Sequence, residues 1–423
     1  MRIADCGFGA GGGESAIRNR QSAIAAAWPT RKAEVGTRNW EPDDSFRVPR
    51  STFRVAPTQE PALSRDVFAR RLARAQQELQ ARKTDLLIAT PGTNYEYLTG
   101  YNPGRSERLI ALLLPARGDP TIVCPSFEVE RIRQHSVVAA TRGWEEQDDP
   151  YRLVRQAVRE MKLSARAVAL ESTTAYAVAL RLAEALGGKF ADAAPITDRL
   201  RIIKSPEEVA LIRQAIDITE AAIAATFAKL AAGASEREVA QLLSGEMRQR
   251  GAEGGGLVQF GPSSALPHGG PGGPTLAREM VVLIDCGCRV AGYTSDITRT
   301  TWFGDSPVPE FTQVFNLVHD GQTAAMQQPP LTPCQEMDRV ARRVIAQGGF
   351  GPFFTHRLGH GMGLDGHEPP YLVEGNATPL EPGMVFTIEP GIYQLGKFGV
   401  RIEDDCVMTE RNIEVLSHRA AKL

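Results

Sequence analysis

Long apolar runs are what this sequence most lacks. No stretch of the 423-residue chain approaches the roughly 18 consecutive apolar residues of a membrane-spanning helix, so no membrane partner is expected. The Ala-rich segment 23–28 is also shorter than the roughly 7–15-residue apolar core of a secretory signal. An excess of charge of one sign is missing too. The formal net charge of −2 and a pI near 6.4 give no basic field for nucleic acid or an anionic surface, and point to a small or neutral partner. Cysteine is scarce and has no paired zinc-type spacing. The six thiols are Cys6, Cys124, Cys286, Cys288, Cys334 and Cys406, and Cys286-Gly-Cys288 is too tight for a CxxC redox motif. They read as reduced structural thiols, with the cytoplasm as the expected location.

What the chain does have is enough length and apolar content for two domains. Residues 1–62 are rich in Gly, Ser, Arg and Pro and show no sustained apolar period, so they read as a poorly ordered tail or as the product of a start codon placed too far upstream. Residues 63–198 alternate helix and short strand. A helix near Ser64 carries Phe68, Leu72, Ala75 and Leu79 on one face, and the apolar runs 86–89, 109–114, 122–124 and 168–170 read as strands of an α/β layer. In NYEYLTGYNPGRSER, the residues Tyr95, Tyr97, Tyr101 and Arg105 either line a pocket or close a half-buried strand end and turn.

Residues 199–423 form the second domain. A linker at 199–204 leads to Ser205, Pro206 and Glu208, a capping box that opens a helix with Val209, Ile212, Ile216, Ala222 and Ile223 on one face. A second box, Ser235 with Glu238, opens a helix that stops at Gly251. A strand follows over 280–285, then helices over 309–327 and from Thr332, Pro333 and Gln335. Helix, helix, strand, strand occurs twice, which suggests two similar halves facing one another across a shared site.

The chemistry gathers in two places. Segment 356–403 holds His356, His360, His367, Glu389, Arg401 and Glu403 in Gly/Pro-punctuated text, and the upstream stretch IDCGCRVAGYTSDITRT adds Asp285 and Asp296. AGYTS is a turn that would join two antiparallel strands and bring the two aspartates to strand ends, where facing carboxylates repel unless a cation lies between them. Glu389 follows the apolar run 385–388 and Glu403 follows 400–402, so both read as lying in strands that a core would cover, where a carboxylate is tolerated only when something neutralises it. Four carboxylates and one imidazole balance two divalent cations, and the oxygen-rich set favours Mn²⁺, Co²⁺ or Fe²⁺ over a thiolate-type zinc site. Arg401, two residues before Glu403, would project to the same side of its strand and pair with a ligand carboxylate or a substrate group, unless it is a plain surface arginine. His135, His319 and His418 read as structural.

The motifs PHG (267–269), DxG with GYxSDITRT, GHGxGLxxHE (359–368), TIEPG (387–391) and VRIEDD (400–405), in that order, resemble the pita-bread metallopeptidases, the family of methionine aminopeptidase, aminopeptidase P and prolidase. The likeness runs from about residue 200 to the end. Upstream, NYEYLTGY and LLLPARGDPTIVCP look like the amino-terminal domain shared by aminopeptidase P, prolidase and creatinase. The resemblance implies a two-domain α/β fold, with a smaller creatinase/prolidase-like α/β domain followed by a pseudo-twofold α+β pita-bread catalytic domain.

It further implies Asp285, Asp296, His360, Glu389 and Glu403 as ligands of two divalent ions, Mn²⁺ foremost with Co²⁺, Fe²⁺ or Zn²⁺ as alternatives. Asp296 and Glu403 would bridge, and Glu389 would double as proton shuttle. His367 would donate to the tetrahedral intermediate, while His268 and His356 would contact the residue after the cleaved bond. The implied activity is that of a Xaa-Pro aminopeptidase or dipeptidase, in which a bridging hydroxide attacks the scissile carbonyl of a small peptide with proline second, and the implied assembly is a homodimer. The alternatives are a creatinase-like hydrolase of a small amide and a non-catalytic peptidase-like binding module, both of which lack the full ligand set present here. Two departures stand out. Asp405 replaces a residue that is often a hydroxyl, and the Gly/Pro stretch 269–274 is expected to reshape the pocket beyond the cleaved bond.

Overall fold

An amphipathic helix opens the part of the chain that the computed structural model describes, residues 63–270 and 272–423. The expected tail at 1–62 lies outside these residues, as does Cys6. Helix α1 (Arg65–Ala81) turns Val67, Arg71, Ala75 and Leu79 inward. Half of that stripe sits one residue away from the expected Phe68 and Leu72, because Arg71 is drawn into the core by the carboxylate of Glu208 at 2.9 Å.

The amino-terminal domain then runs β1 (Leu86–Ala89), α2 (Thr93–Thr99), β2 (Ala111–Pro115), β3 (Thr121–Pro125), α3 (Val129–His135), β4 (Thr141–Trp144), α4 (Pro150–Glu160), β5 (Ala167–Leu170), α5 (Tyr176–Leu186), β6 (Lys189–Asp192) and α6 (Ala194–Arg201). Its strands form one sheet in the order β4-β3-β2-β1-β5-β6. β1 sits inside it, antiparallel to β2 and parallel to β5. Side chains alternate along each strand. Leu87, Ala89, Leu112 and Leu114 therefore enter one core, while Leu86, Ile88, Ala111 and Leu113 enter another on the opposite face. A strand covered on both faces has no solvent side to alternate with, which is why LLIA and ALLLP read as unbroken apolar runs.

NYEYLTG departs from the strand-end reading. It is the helix α2, closed by Gly100 in the left-handed conformation with its N–H bonded to Glu96 O, and both Tyr95 and Tyr97 are buried. The expected linker at 199–204 is shorter than read, since Pro195 starts α6 early and the helix continues to Arg201.

The carboxy-terminal domain starts with α7 (Pro206–Phe227) and α8 (Glu236–Gln249), each opened by the expected capping box. The strands β7 (Glu253–Phe260), β8 (Met280–Val290), β9 (Tyr293–Thr294) and β10 (Ile297–Phe303) follow, then α9 (Pro309–Met326) and α10 (Cys334–Gln347). The last strands are β11 (Gly359–Gly361), β12 (Glu368–Leu372), β13 (Val385–Ile388), β14 (Gly391–Gln394), β15 (Phe398–Arg401), β16 (Asp404–Met408) and β17 (Ile413–Val415). They make the sheets β10-β8-β7, with β9 beside β8, and β12-β11-β13-β16-β17, plus the hairpin β14-β15. Two helices followed by strands thus occur twice. The second pair differs in its opening. Helix α10 has Pro333 as its N-cap residue and no side-chain cap, because Thr332 Oγ1 turns back to donate to Pro329 O at 2.7 Å.

The two domains share a core. Leu79, Leu87 and Tyr95 belong to the same buried cluster as Ile212, Ile216, Val258, Ile284 and Tyr293. A second cluster packs Phe311, Phe315, Met337, Phe386 and Ile402 under α9 and α10. Cys124, Cys286, Cys288, Cys334 and Cys406 are buried free thiols. Among the described residues no helix is long and apolar enough to cross a membrane.

A polar tie runs through the shared core. Arg71 donates to Glu208 Oε1 at 2.9 Å and to the Tyr293 hydroxyl at 2.6 Å, and that hydroxyl donates to Glu208 Oε1 at 2.6 Å. Removing one partner of a buried pair leaves a stranded charge, so Arg71→Met is expected to cost about 3 kcal/mol in urea unfolding. Arg70→Ala, which breaks the solvent-exposed pair with Glu207 at 3.3 Å, is expected to cost under about 1 kcal/mol.

Candidate metal centre

Five side chains converge in the carboxy-terminal domain: Asp296, Glu389 and Glu403 from beside strand ends, His360 from within β11, and Asp285 from within β8 rather than from the strand end expected, because β8 continues to Val290. β8 and β10 pair antiparallel with Asp285 opposite Thr298, and Asp296 stands just before β10 after the turn at Ala291 and Gly292, both at positive φ. His360 is the middle residue of β11, held between β12 and β13. Its neighbours must be glycine: a Cβ on Gly359 would come within 2.0 Å of Thr387 O, and one on Gly361 within 2.3 Å of Pro369 O. Glu389 follows β13, and Glu403 lies between β15 and β16. Both glutamates therefore sit at strand ends rather than inside strands.

Donor atoms of Asp285, Asp296 and Glu403 lie within 4.8 Å of one another, and so do those of His360, Glu389 and Glu403. The two sets share Glu403. Asp296 also joins His360 and His367 in a third set, with His360 Nε2 3.8 Å from Asp296 Oδ2 and 3.2 Å from Glu389 Oε1. The tautomer of His360 follows from its other nitrogen. Nδ1 is 3.1 Å from Gly361 O, and a carbonyl only accepts, so Nδ1 carries a proton and Nε2 is the nitrogen turned to the carboxylates, the one that would ligate a cation.

The electrostatics fit a divalent pair. Burial and the facing carboxylates of Asp285, Asp405 and Glu389 push the pKa of Asp296 well above the ordinary range. Burial, Asp296, Glu389 and Asp285 do the same to Glu403. Burial also raises Glu389, but the hydrogen bond and charge of His360 outweigh it and hold that carboxyl below its ordinary value. Crowded acids that resist ionising without a counter-charge are what two cations would relieve, and four carboxylates with one imidazole suit borderline-to-hard divalent ions.

Arg401 lies inside this group. It donates to Asp285 Oδ2 at 2.6 Å through Nη2 and to the Tyr393 hydroxyl at 2.8 Å through Nη1. Tyr393 OH is 2.7 Å from His356 Nε2, while His356 Nδ1 is 2.7 Å from Arg357 O. The same carbonyl argument puts the His356 proton on Nδ1, so Tyr393 donates to Nε2 and the chain of bonds has one direction, from Arg401 through Tyr393 to His356. Burial lowers the pKa of His356 and keeps it neutral in that role. His367 is exposed, with its ring 3.8 Å from that of His360, and Arg357 Nη2 lies 3.1 Å from its Nδ1. His268 is exposed on the segment after Gly261–Ala265 and its charge reaches His356.

Three contributors were not read from the sequence. Tyr393 links His356 to Arg401. Thr298 Oγ1 donates to Glu403 Oε2 at 2.6 Å while accepting from Arg401 Nε at 3.1 Å. Thr387 Oγ1 donates to Glu389 Oε1 at 3.2 Å while accepting from His360 N at 3.1 Å. Thr387 and Glu389 are two positions apart across a strand end, the one spacing that could have signalled a partner. The histidines read as structural join none of the donor groups among the described residues. His135 stacks on Tyr101 and His418 pairs with Glu220.

Residues 210–410 match Metallopeptidase family M24, and residues 71–203 match the Creatinase/Prolidase N-terminal domain. An uncharacterized peptidase of Staphylococcus aureus is 35% identical over 349 residues, which covers 81% of this chain and 97% of its own. The chain belongs to metallopeptidase family M24. Among solved structures, the dipeptidase PepE of Mycobacterium ulcerans superposes with a TM-score of 0.80 at 36% identity, over 85% of this chain and 98% of its own. A prolidase from Thermococcus sibiricus gives 0.77 at 31% identity, over 84% and 98%. The fold is therefore the two-domain one expected, a creatinase/prolidase-type domain followed by the M24 pita-bread domain, and the protein is a metallopeptidase.

The crowded acids of this M24 peptidase give a test without substrate. Asp296, Glu403 and Asp405 all have raised pKa values in the folded chain. Above the ordinary values of 3.8 and 4.5, the unfolded chain releases protons that the folded chain keeps, so stability falls as pH rises toward the raised values. The metal-stripped protein is expected to lose Tm progressively as pH rises above about 5. Added Mn²⁺ is expected to reduce that loss if it binds the folded, deprotonated site.

Proposed function

We propose that this chain is a dinuclear metal-dependent exopeptidase that hydrolyses the bond between an amino-terminal residue and a following proline. The observation that carries the dinuclear reading is the sharing of Glu403 by two donor sets, with Asp296 reaching toward both. The likeness to a prolidase supports the proline preference.

Asp285, Asp296, His360, Glu389 and Glu403 would hold the cations, Mn²⁺ foremost, with Co²⁺, Fe²⁺ or Zn²⁺ able to occupy the same donors. When bound, such ions supply an activated water and polarise the scissile carbonyl. Glu389, whose carboxyl is held below its ordinary pKa beside His360, would accept a proton from the attacking water and pass it toward the leaving amine. His367 donates a hydrogen bond to the oxygen of the carbonyl as negative charge develops there. His356 and His268 meet the residue after the cleaved bond. Arg401 keeps Asp285 fixed and, through Tyr393, holds the His356 ring in one orientation.

The proposal includes a homodimer and a cytoplasmic location, both carried by the resemblance to aminopeptidase P and prolidase. It takes 63–198 and 199–423 as the domain division, with α6 running across that boundary.

Purified protein with Mn²⁺ is expected to cleave a Xaa-Pro dipeptide or a Xaa-Pro-Xaa tripeptide while leaving Xaa-Ala peptides largely intact. The ratio of the two proline substrates separates dipeptidase from aminopeptidase action. Asp296→Ala and Glu403→Ala are expected to abolish turnover and to lower the metal content measured by mass spectrometry; full turnover in either one would defeat the reading. His367→Ala should keep its metal and lose about 10²–10³ in kcat, the usual cost of removing one electrostatic donor.

A further inference from the structure

A cavity of about 380 Å³ lies where the two domains meet, lined by Gly92, Asn94, Arg105, Glu171, Thr173 and Asp365 among others. Its volume falls at the lower end of the roughly 300–1,000 Å³ typical of small-molecule sites. None of these residues belongs to the donor sets of the metal centre.

Two opposite charges face this cavity without pairing. Glu171 is only 3% exposed, yet its carboxylate meets neutral donors alone. Asn94 Nδ2 reaches Oε1 at 3.3 Å, the Thr173 amide reaches Oε2 at 3.0 Å, and Thr173 Oγ1 lies 2.8 Å from Oε2. Among the described residues it has no cationic partner, and carboxylates are rarely buried in that condition. Arg105 is the counterpart. Its guanidinium donates to Pro91 O at 2.8 Å and to Thr173 Oγ1, and no acidic side chain among the described residues pairs with it. Thr173 therefore stands between the carboxylate and the guanidinium and keeps them apart. Gly92 makes the room. A Cβ there would approach Arg105 Nη2 to 2.9 Å, and the residue's φ of +155° is one that side chains rarely allow. Asp365, the third charge, is already occupied: it accepts from Thr93 Oγ1 at 2.6 Å and pairs with Arg201 at 2.8 Å.

A buried anion and an accessible cation, spaced by one hydroxyl in a small polar cavity, match a ligand carrying both charges on neighbouring atoms. We propose that this cavity binds a free α-amino acid, its ammonium group against Glu171 and its carboxylate against Arg105. A simple cation would leave Arg105 unmatched, and a dicarboxylate would be repelled by Glu171. The site does not depend on the peptidase reading, since none of its residues takes part in hydrolysis as described above.

Isothermal titration calorimetry of the full-length, metal-loaded protein with L-alanine tests this, with acetate and methylammonium as probes that carry one charge each. Saturable L-alanine binding is expected, at least about tenfold tighter than either half-ligand, because each charge-assisted contact is worth about that factor. Glu171→Gln and Arg105→Met should each weaken it about tenfold or more while leaving peptide hydrolysis unchanged. Glu403→Ala should keep L-alanine binding while hydrolysis is lost, which separates this cavity from the metal centre. Arg105 is exposed, so Arg105→Met reads the test even if Glu171→Gln does not fold. Absence of saturable binding to the wild-type protein overturns the proposal, and so does binding that survives Arg105→Met but disappears in Glu403→Ala.

Discussion

Mutual repulsion among carboxylates is the constraint around which the carboxy-terminal domain is built. Asp285, Asp296, Glu389 and Glu403 converge within a few ångströms, and nothing in their own chemistry holds them there. The backbone does. Gln322, buried on α9, uses one amide nitrogen to reach Ile388 O at 3.0 Å and Ile402 O at 3.2 Å. These are the carbonyls immediately before the two glutamates. The same nitrogen reaches Asp404 Oδ2 at 2.9 Å, and Arg299 adds bonds to Glu403 O at 2.5 Å and Asp404 Oδ1 at 2.7 Å. Asp404 is thus a buried acid fully answered by a cation and an amide, and it serves to lock two strand ends. The carboxylates of the donor sets are positioned by carbonyls tied behind them, so their arrangement does not require an ion to hold it.

The amino-terminal domain bears on this centre through charge rather than through the donors. His367 stands between Asp365 and Glu368 in its loop. Arg201 contacts both acids, and Lys204 Nζ lies 2.7 Å from Glu368 Oε1 with only 2% of the lysine side chain exposed. Asn94 and Thr93 of α2 complete the network by bonding Arg201 and Asp365. A pair this deeply buried is costly to break from one side. The loop that carries His367 is therefore fixed partly by residues of the other domain, and the shared apolar core and the Arg71 tie keep that domain from drifting away.

How far the sequence could be read depended on whether a signal was local. The capping boxes at Ser205 and Ser235 were legible because their partners are three residues away, and the five donor residues were legible because each stands in a short motif. Arg71 could not be read as buried, since its partner Glu208 is 137 positions away, and without it a charged residue belongs on the outside of a helix. The edge strands TRGW and KFAD escaped for a related reason. With exposed positions they show neither an apolar run nor clean alternation. Gln322, Thr298 and Tyr393 look like ordinary polar or aromatic residues in sequence, and only the folded chain shows what they hold. The cluster of Tyr95, Tyr97 and Arg105 was half legible: the tyrosines fill core, while the arginine does face a cavity.

Asp405 and Arg401 are best understood together. Asp405 is fully buried; its Oδ2 accepts from the Asp296 amide at 3.0 Å, and its Oδ1 has no hydrogen-bond partner among the described residues. It adds a fifth acid to a centre already short of positive charge, and its field raises Asp296. Arg401 supplies one positive charge from the other side, against Asp285. When Asp405 is ionised the two offset each other, and the four carboxylates of the donor sets would then carry a charge that two divalent cations match. A hydroxyl at position 405 could make the same bond to the Asp296 amide but would remove one negative charge. A cation bound there would then be held less tightly, and Asp296 would ionise more easily without one. The departure at 405 would therefore act on affinity for a cation, and it removes none of the donor groups.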